Sequence, residues 1–206
     1  AQHDCLELRE MPFYWRLSES TPVAVVPSRL AMRVTCAEHY DYLEFRPTAT
    51  EWGAINLAYQ QNANIGFLNP ESGQMNTYGS SVNRFFLDAL TKNPAEKIYE
   101  IGCGAGFSIK YLAEHGFNVI GIDPSESSLQ WSQRLDFELL NTFFDEGIIT
   151  GRADFIYCND VFEHVAEVDK FCRLVFESLK AGGVFCFSTT NSSLSIELGD
   201  ISMFEH

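Results

Sequence analysis

The sequence predicts an α/β chain built on a doubly wound, mostly parallel sheet, preceded by a small irregular β-rich segment. Three observations carry this. From residue 78 onward, short apolar strings alternate with stretches of helical period, the pattern in which parallel strands are joined by covering helices. A glycine-rich string, Gly102-Cys103-Gly104-Ala105-Gly106, separates the first of these strands from the helix after it. The next strand closes on Asp123. A chain of 206 residues suffices for one domain of ordinary size plus a small extra element, so one main core is expected.

Taken in order, residues 1 to 76 carry Pro12, Pro22, Pro27, Pro47 and Pro70 and no sustained helical period, which predicts short strands and loops. A boundary follows near residues 75 to 80, dividing an accessory segment (1–76) from the main domain (77–206). Ser80 or Ser81 can cap a helix whose apolar positions Val82, Phe85, Phe86, Ala89 and Leu90 share one face, ending before Asn93-Pro94. Strand 97–101 leads into the glycine string, and helix 107–115 is closed by Gly116. Strand 117–122 ends at Asp123-Pro124, and Ser125 caps a helix running to about Arg134. Strands at 136–140 and 154–158 follow. Helix 168–179, with Val168, Phe171, Cys172, Val175 and Leu179 on one face, is stopped by Gly182-Gly183 before strand 184–188.

Composition removes several functions. Apolar residues make up 46% of the chain and charged residues 20%, which excludes wholesale disorder. The formal charge of -14, with no basic patch, disfavours nucleic acid and anionic membrane surfaces as partners. No stretch approaches the roughly 20 apolar residues of a membrane-spanning helix, and the N-terminus has no basic and hydrophobic leader pattern. Cys5, Cys36, Cys103, Cys158, Cys172 and Cys186 are scattered without a C-x-x-C pair, which suits a reducing compartment. A cytoplasmic protein is expected. The chain starts at Ala1 and stops at Glu205-His206, which suggests part of a longer protein.

Glycines between a strand and a helix let a ligand approach the backbone closely. Asp123 ends the next strand, where a carboxylate can accept hydrogen bonds from both ribose hydroxyls of an adenosine-containing ligand. The spacing G-x-G-x-G, with Phe107 where a dinucleotide fingerprint needs its third glycine, fits a nicotinamide dinucleotide poorly. Glu100 disfavours a pyrophosphate and favours a cationic ligand, which S-adenosylmethionine is.

The string Glu100-Ile101-Gly102-Cys103-Gly104-Ala105-Gly106, Asp123, the string Cys158-Asn159-Asp160-Val161-Phe162-Glu163-His164-Val165 and Leu179-Lys180-Ala181-Gly182-Gly183 occur in that order. Together they resemble the class I S-adenosylmethionine-dependent methyltransferases, in the branch that contains the ubiquinone-type O-methyltransferases and many small-molecule enzymes. The resemblance covers about residues 78–190 and implies a Rossmann-like sheet and transfer of a methyl group by in-line displacement to a small-molecule acceptor at O, N or C. It implies that Glu100, Gly102, Cys103, Gly104 and Gly106 lie at the methionine part of the cofactor and that Asp123 holds the ribose. Phe143 or Phe144 would flank the adenine, although the family's usual Asp is absent there. Asn159 and Asp160 would face the methionine and sulfonium end, with Tyr78 near the carboxylate. His164 is the candidate base for an acceptor that must lose a proton, the alternative being that it orients the loop after the fourth strand. His115, at a helix end, reads as structural. A non-catalytic nucleoside-binding or scaffold module is the alternative function. Enzymes of this family continue past the fifth strand to a helix and an antiparallel strand pair, so the sheet is expected to lack its last strands and to leave an edge prone to aggregation or pairing.

The N-terminal segment, through Met11-Pro12, residues 27–33 and Val34-Thr35-Cys36-Ala37-Glu38-His39, resembles the zinc ribbon that precedes some sugar C-methyltransferases. That ribbon uses two C-x-x-C pairs. Here Cys36 and His39 keep the gap, the only upstream candidates are His3 and Cys5, and zinc remains open. The aromatic run from Trp52 to Tyr78, with Tyr59 and Phe67, would serve as a lid over the cofactor or as packing for the extra segment.

Overall fold

The structure is a computed structural model and describes residues 5–12, 29–36, 43–45, 47–61 and 75–198. The chain divides into two compact units, Ala1–Gln61 and Asn62–His206. In the first, β1 (Cys5–Pro12), β2 (Arg29–Cys36) and β3 (Leu43–Phe45) form an antiparallel sheet in the order β1-β2-β3. A helix follows, α1 (Ala49–Gln61), where the sequence suggested strands and loops. Its local cause is a capping box: the Thr48 N–H donates to Glu51 Oε2 at 2.5 Å, and the Glu51 N–H donates to Thr48 Oγ1 at 3.3 Å. Trp52 and Tyr59, the start of the expected lid, are therefore helical, while Phe67 lies outside the described residues.

The second unit contains α2 (Thr77–Lys92), β4 (Ile98–Ile101), α3 (Phe107–Glu114), β5 (Val119–Ile122), α4 (Glu126–Leu135) and β6 (Leu139–Leu140). It continues with β7 (Ala153–Asn159), α5 (Val168–Ser178), β8 (Leu179–Ser188) and α6 (Ser192–Leu198). The strands form one all-parallel sheet in the order β6-β5-β4-β7-β8. The chain starts at the central β4, builds outward through β5 and β6, then crosses back to β7, so the strand order reverses beside β4. In sheets of this type, ligands bind at that reversal, beyond the carboxyl ends of the strands.

Alternation along β4 and β7 assigns the two faces of the sheet. Ile98, Phe155 and Tyr157 pack with Val82, Phe86 and Leu90 of α2 and Ile109 and Leu112 of α3. Tyr99, Ile101, Ile156 and Cys158 pack with Phe171 and Val175 of α5 on the other side. Both central strands are thus covered on two faces, which is why they read as continuous apolar strings. At the amino end of the sheet, Asp154 accepts the N–H groups of Glu96 and Lys97 and pairs with Lys180 at 2.7 Å, fastening the starts of β4, β7 and β8 together.

Several boundaries differ from expectation. Asn76, not Ser80 or Ser81, caps α2: its side chain accepts the Gly79 N–H at 2.8 Å, and both serine hydroxyls donate back to carbonyls one turn earlier. Phe85 turns outward, with 48% of its surface exposed. The strand expected at 136–140 shrinks to β6, because Asp136 takes a left-handed conformation (φ 55°) to end α4. In α5, Leu174 rather than Cys172 joins the buried face. Gly182-Gly183 do not stop that helix, which ends at Ser178; they lie inside an irregular stretch of β8 where the register against β7 shifts. Among the described residues, β6 and β8 form the two sheet edges.

Phe86 is fully buried, and its ring lies 4.6 Å from that of Tyr157. Phe86→Ala is expected to cost about 3–5 kcal/mol, read as a lower midpoint in urea unfolding with little change in slope.

Candidate functional site

Where the strand order reverses, a shallow open cleft is lined by Glu100, Gly102, Cys103, Gly104, Ala105, Phe107 and Asn159. The glycine string forms its floor. The Gly102 N–H donates to the Ile122 carbonyl at 2.7 Å, so the chain turns over the end of β5, and the Gly106 N–H closes a tight turn onto Cys103 O at 2.9 Å before α3 begins. Gly106 has φ 74° and caps α3 in a left-handed conformation that costs an L-residue about 1–2 kcal/mol. A β-carbon there would also collide with the Phe137 ring. At Gly121 a β-carbon would collide with the Cys103 sulfur, with Ile109 and the same Phe137 ring packed close beside it. Gly102 (φ 69°) lies directly beneath Val161.

Asp123 is the structural tie of this floor. Its Oδ2 accepts the Gly104 N–H at 2.9 Å. Its Oδ1 accepts the Ser125 N–H at 2.9 Å and the hydroxyls of Ser125 and Ser128, both at 2.6 Å. Ser125 caps α4, as its sequence position suggested, and Asn141 binds the Asp123 and Ser125 carbonyls, each at 2.9 Å. A second buried pair lies beneath α3, where the Ser108 hydroxyl donates to Asn83 Oδ1 at 2.6 Å and links α3 to α2.

Glu100 is 3% exposed and accepts a hydrogen bond from the Tyr157 phenol at 3.0 Å, the two residues facing each other across β4 and β7. Burial pushes the Glu100 carboxyl well above its ordinary value, the Tyr157 hydrogen bond opposes the shift, and the Asp123 charge adds to it. Burial likewise raises the Cys103 thiol, which disfavours its reactive thiolate form.

A polar network crosses the ends of β7 and β8. The Tyr78 phenol, at the start of α2, donates to Asp160 Oδ2 and lies 3.4 Å from Asn159 Oδ1. The Asn159 amide donates to Asp160 Oδ2 at 3.0 Å, and the Ser188 hydroxyl donates to Asn159 Oδ1. Asp160 adopts φ 50°, a left-handed conformation unusual for a non-glycine. Burial first, then the hydrogen bond to Asp160, raises the Tyr78 phenol. His164 ends a 3₁₀ turn (Phe162–His164) on the same edge, half-buried. Phe143 is 38% exposed, whereas Phe144 packs edge-on against Phe171 at 5.6 Å. His115 caps α3, with its Nδ1 2.8 Å from Tyr111 O.

The structure therefore gathers Glu100, the glycine string, Asn159, Asp160 and Tyr78 at one end of the sheet, with Asp123 beneath the loop. Sequence reasoning missed Tyr157, Phe137, Ser128 and Asn83. Alternation alone places Tyr157 on some face of its strand, but only the pairing register puts it opposite Glu100. Among the described residues, no group of three or more His, Cys, Asp or Glu side chains could hold a metal ion; His3, His39 and the side chains of Cys5 and Cys36 lie outside them. No helix among the described residues is long and apolar enough to cross a membrane.

A family model described as a methyltransferase domain matches residues 73–206. The ubiquinone biosynthesis O-methyltransferase of Rickettsia typhi is 30% identical over 116 residues, covering 53% of this chain and 47% of that protein. Phosphoethanolamine N-methyltransferase 1 of Zea mays is 29% identical over 124 residues, covering 54% of this chain and 24% of that one. The chain spans about half the length of these ubiquinone biosynthesis relatives. Among solved structures, the methyltransferase domain of a bacterial CtHen1 superposes with a TM-score of 0.51 at 20% identity, covering 62% of this chain and 75% of that one. The plantazolicin methyltransferase BpumL in complex with SAH gives 0.51 at 19% identity, covering 63% and 56%. These likenesses show the fold.

Two outcomes follow from the geometry. Gly106→Ala is expected to lower the thermal midpoint by roughly 4 °C or more, since it meets both the φ penalty and the Phe137 ring. Glu100 binds its proton more tightly in the folded chain than at its ordinary value of 4.5, so its contribution is fully present below about pH 4.5 and is lost as pH rises toward the folded value. Thermal melts from pH 5 to 8 are expected to show Glu100→Gln gaining steadily on the parent as pH rises.

Proposed function

The chain belongs to the methyltransferase domain family, and we propose that it catalyses S-adenosylmethionine-dependent methyl transfer to a small-molecule acceptor. The observation that carries this reading is the buried Glu100 carboxyl in a glycine-floored cleft at the reversal of a parallel sheet. A buried carboxyl beside a second carboxylate is a poor neighbour for phosphate and a good one for an ammonium or sulfonium group. The donor set therefore fits this cofactor. When bound, S-adenosylmethionine supplies an electrophilic methyl group on a cationic sulfur.

The residues divide the remaining tasks. The Gly102–Gly106 loop lets the ligand lie against the backbone, and Glu100 and Cys103 sit at its methionine end. Asp123 receives the ribose hydroxyls in place of the Ser125 and Ser128 hydroxyls while its other oxygen keeps the Gly104 N–H. Phe143 is the ring that flanks the adenine, because Phe144 is committed to Phe171. Tyr78, Asn159 and Asp160 orient the reacting end and exclude water from it. His164 takes the proton of an acceptor that must lose one. The named activities of the ubiquinone biosynthesis and phosphoethanolamine relatives support a small acceptor. The chain's net charge of -14 supports an acceptor other than nucleic acid. Free Cys103 and Cys158, both buried, suit a reducing cytoplasm.

Calorimetric titration with S-adenosylhomocysteine tests the reading. Micromolar binding is expected, weakened at least about tenfold in a folded Asp123→Ala variant, which loses a charge-assisted hydrogen bond to the ligand. A folded parent protein that does not bind overturns it.

A further inference from the structure

The Glu100–Tyr157 pair has a role that the cofactor reading alone does not assign. Both side chains are buried, at 3% and 0% exposure, and the register of β4 against β7 sets them directly across from each other. The phenol is 3.0 Å from Glu100 Oε2. Tyr157 is itself immobilised by the rings of Phe86, at 4.6 Å, and Phe155, at 6.2 Å, so the donor cannot swing away. Glu100 nevertheless lines the cleft.

The groups that act on Glu100 from the surrounding elements are Tyr157 on β7, Asp123 at the end of β5 and Cys103 in the loop, with Cys158 the next residue along β7. Of these, Asp123 acts on Glu100 by charge and raises its carboxyl further. Helices α2 and α3 over this face contribute Asn83 and Ser108, both neutral and bonded to each other. Among the described residues, Glu100 thus has one fixed donor and no cation among the groups that act on it, and burial holds its carboxyl toward the protonated form. A ligand that brings a cation to the cleft reverses that balance.

Resting on the methyltransferase reading, we propose that Tyr157 is a positioning residue for the cofactor pocket, aiming Glu100 Oε2 and stabilising its ionised form so that binding of a cationic ligand is coupled to release of the Glu100 proton to solvent. The ligand's ammonium keeps its own proton, and one O–H bond breaks at Glu100. The Tyr157 phenol stays protonated and donates throughout, since burial and the facing Glu100 both raise it.

S-adenosylhomocysteine is titrated into the parent, Tyr157→Phe and Glu100→Gln from pH 5.5 to 8, in buffers of different ionisation enthalpy, so that protons released per site are counted. The parent is expected to release up to one proton and to bind more tightly as pH rises. Tyr157→Phe preserves the ring packing but removes a hydrogen bond to a charged group. It is expected to shift the profile up by about one pH unit and to weaken binding about tenfold at pH 7. Glu100→Gln is expected to release no proton from this position, and any dependence due to Asp160 or His164 on the same edge persists in it. A Tyr157→Phe profile that superimposes on the parent's overturns the role of Tyr157. Parent binding without proton release and with the same pH dependence as Glu100→Gln overturns the coupling, a comparison that holds even if Tyr157→Phe does not fold. Absence of binding by the folded parent at every pH overturns the cofactor reading and this inference together.

Discussion

The pocket depends on one carboxylate. A loop of glycine, cysteine and alanine has almost no side chains with which to fix its own shape, and glycines widen the range of conformations it can take. Asp123 supplies the restraint. By accepting the Gly104 N–H on one oxygen and three donors from the start of α4 on the other, it ties the loop after β4 to the helix after β5. Four donors satisfy the acceptor capacity of a carboxylate, which offsets the cost of burying Asp123 at 8% exposure. The Asn141 amide continues the network to the residue after β6. Ends of three neighbouring strands are thus joined through one polar cluster, and a fully satisfied cluster of this kind is rigid.

That arrangement sets the electrostatics of the cleft. Burial and the nearby Asp123 both oppose ionisation of Glu100, and the two carboxyls are served unequally. Asp123 receives the donors, while Glu100 receives one phenol and remains the group whose charge depends on what enters. Two carboxyls a strand apart therefore have different duties, fixed by their surroundings. At the opposite end of the same strands, Asp154 is paired with Lys180 and serves the sheet alone.

Much of this was legible in the sequence because the relevant signals are local. The G-x-G-x-G string, the Asp123 terminus, the Ser125 cap and the apolar strand strings each declare themselves within a few residues. Elements whose definition needs a distant partner were not. Tyr157 looks like any aromatic in a buried strand until the β4–β7 register is known, and Phe137 looks like part of a strand rather than the packing beneath a loop. The 136–140 strand was overestimated because Asp136 can adopt a left-handed turn that its sequence neighbours do not announce. Helix α1 was missed for the opposite reason: the Thr48–Glu51 capping box was present, but the prolines around it drew the reading toward loops.

The Phe137 ring ties three sequence positions into one shared volume. It fills the space above Gly106 and beside Gly121, so the residues at 106, 121 and 137 cannot change independently as the family diverges. The coupling is unequal. A smaller side chain at 137 would free neither position by itself: a β-carbon at 121 would still collide with the Cys103 sulfur, and at 106 φ 74° still demands glycine. Relatives that differ at 137 should therefore still keep glycine at 106, while a side chain at 121 calls for a change at 103 as well.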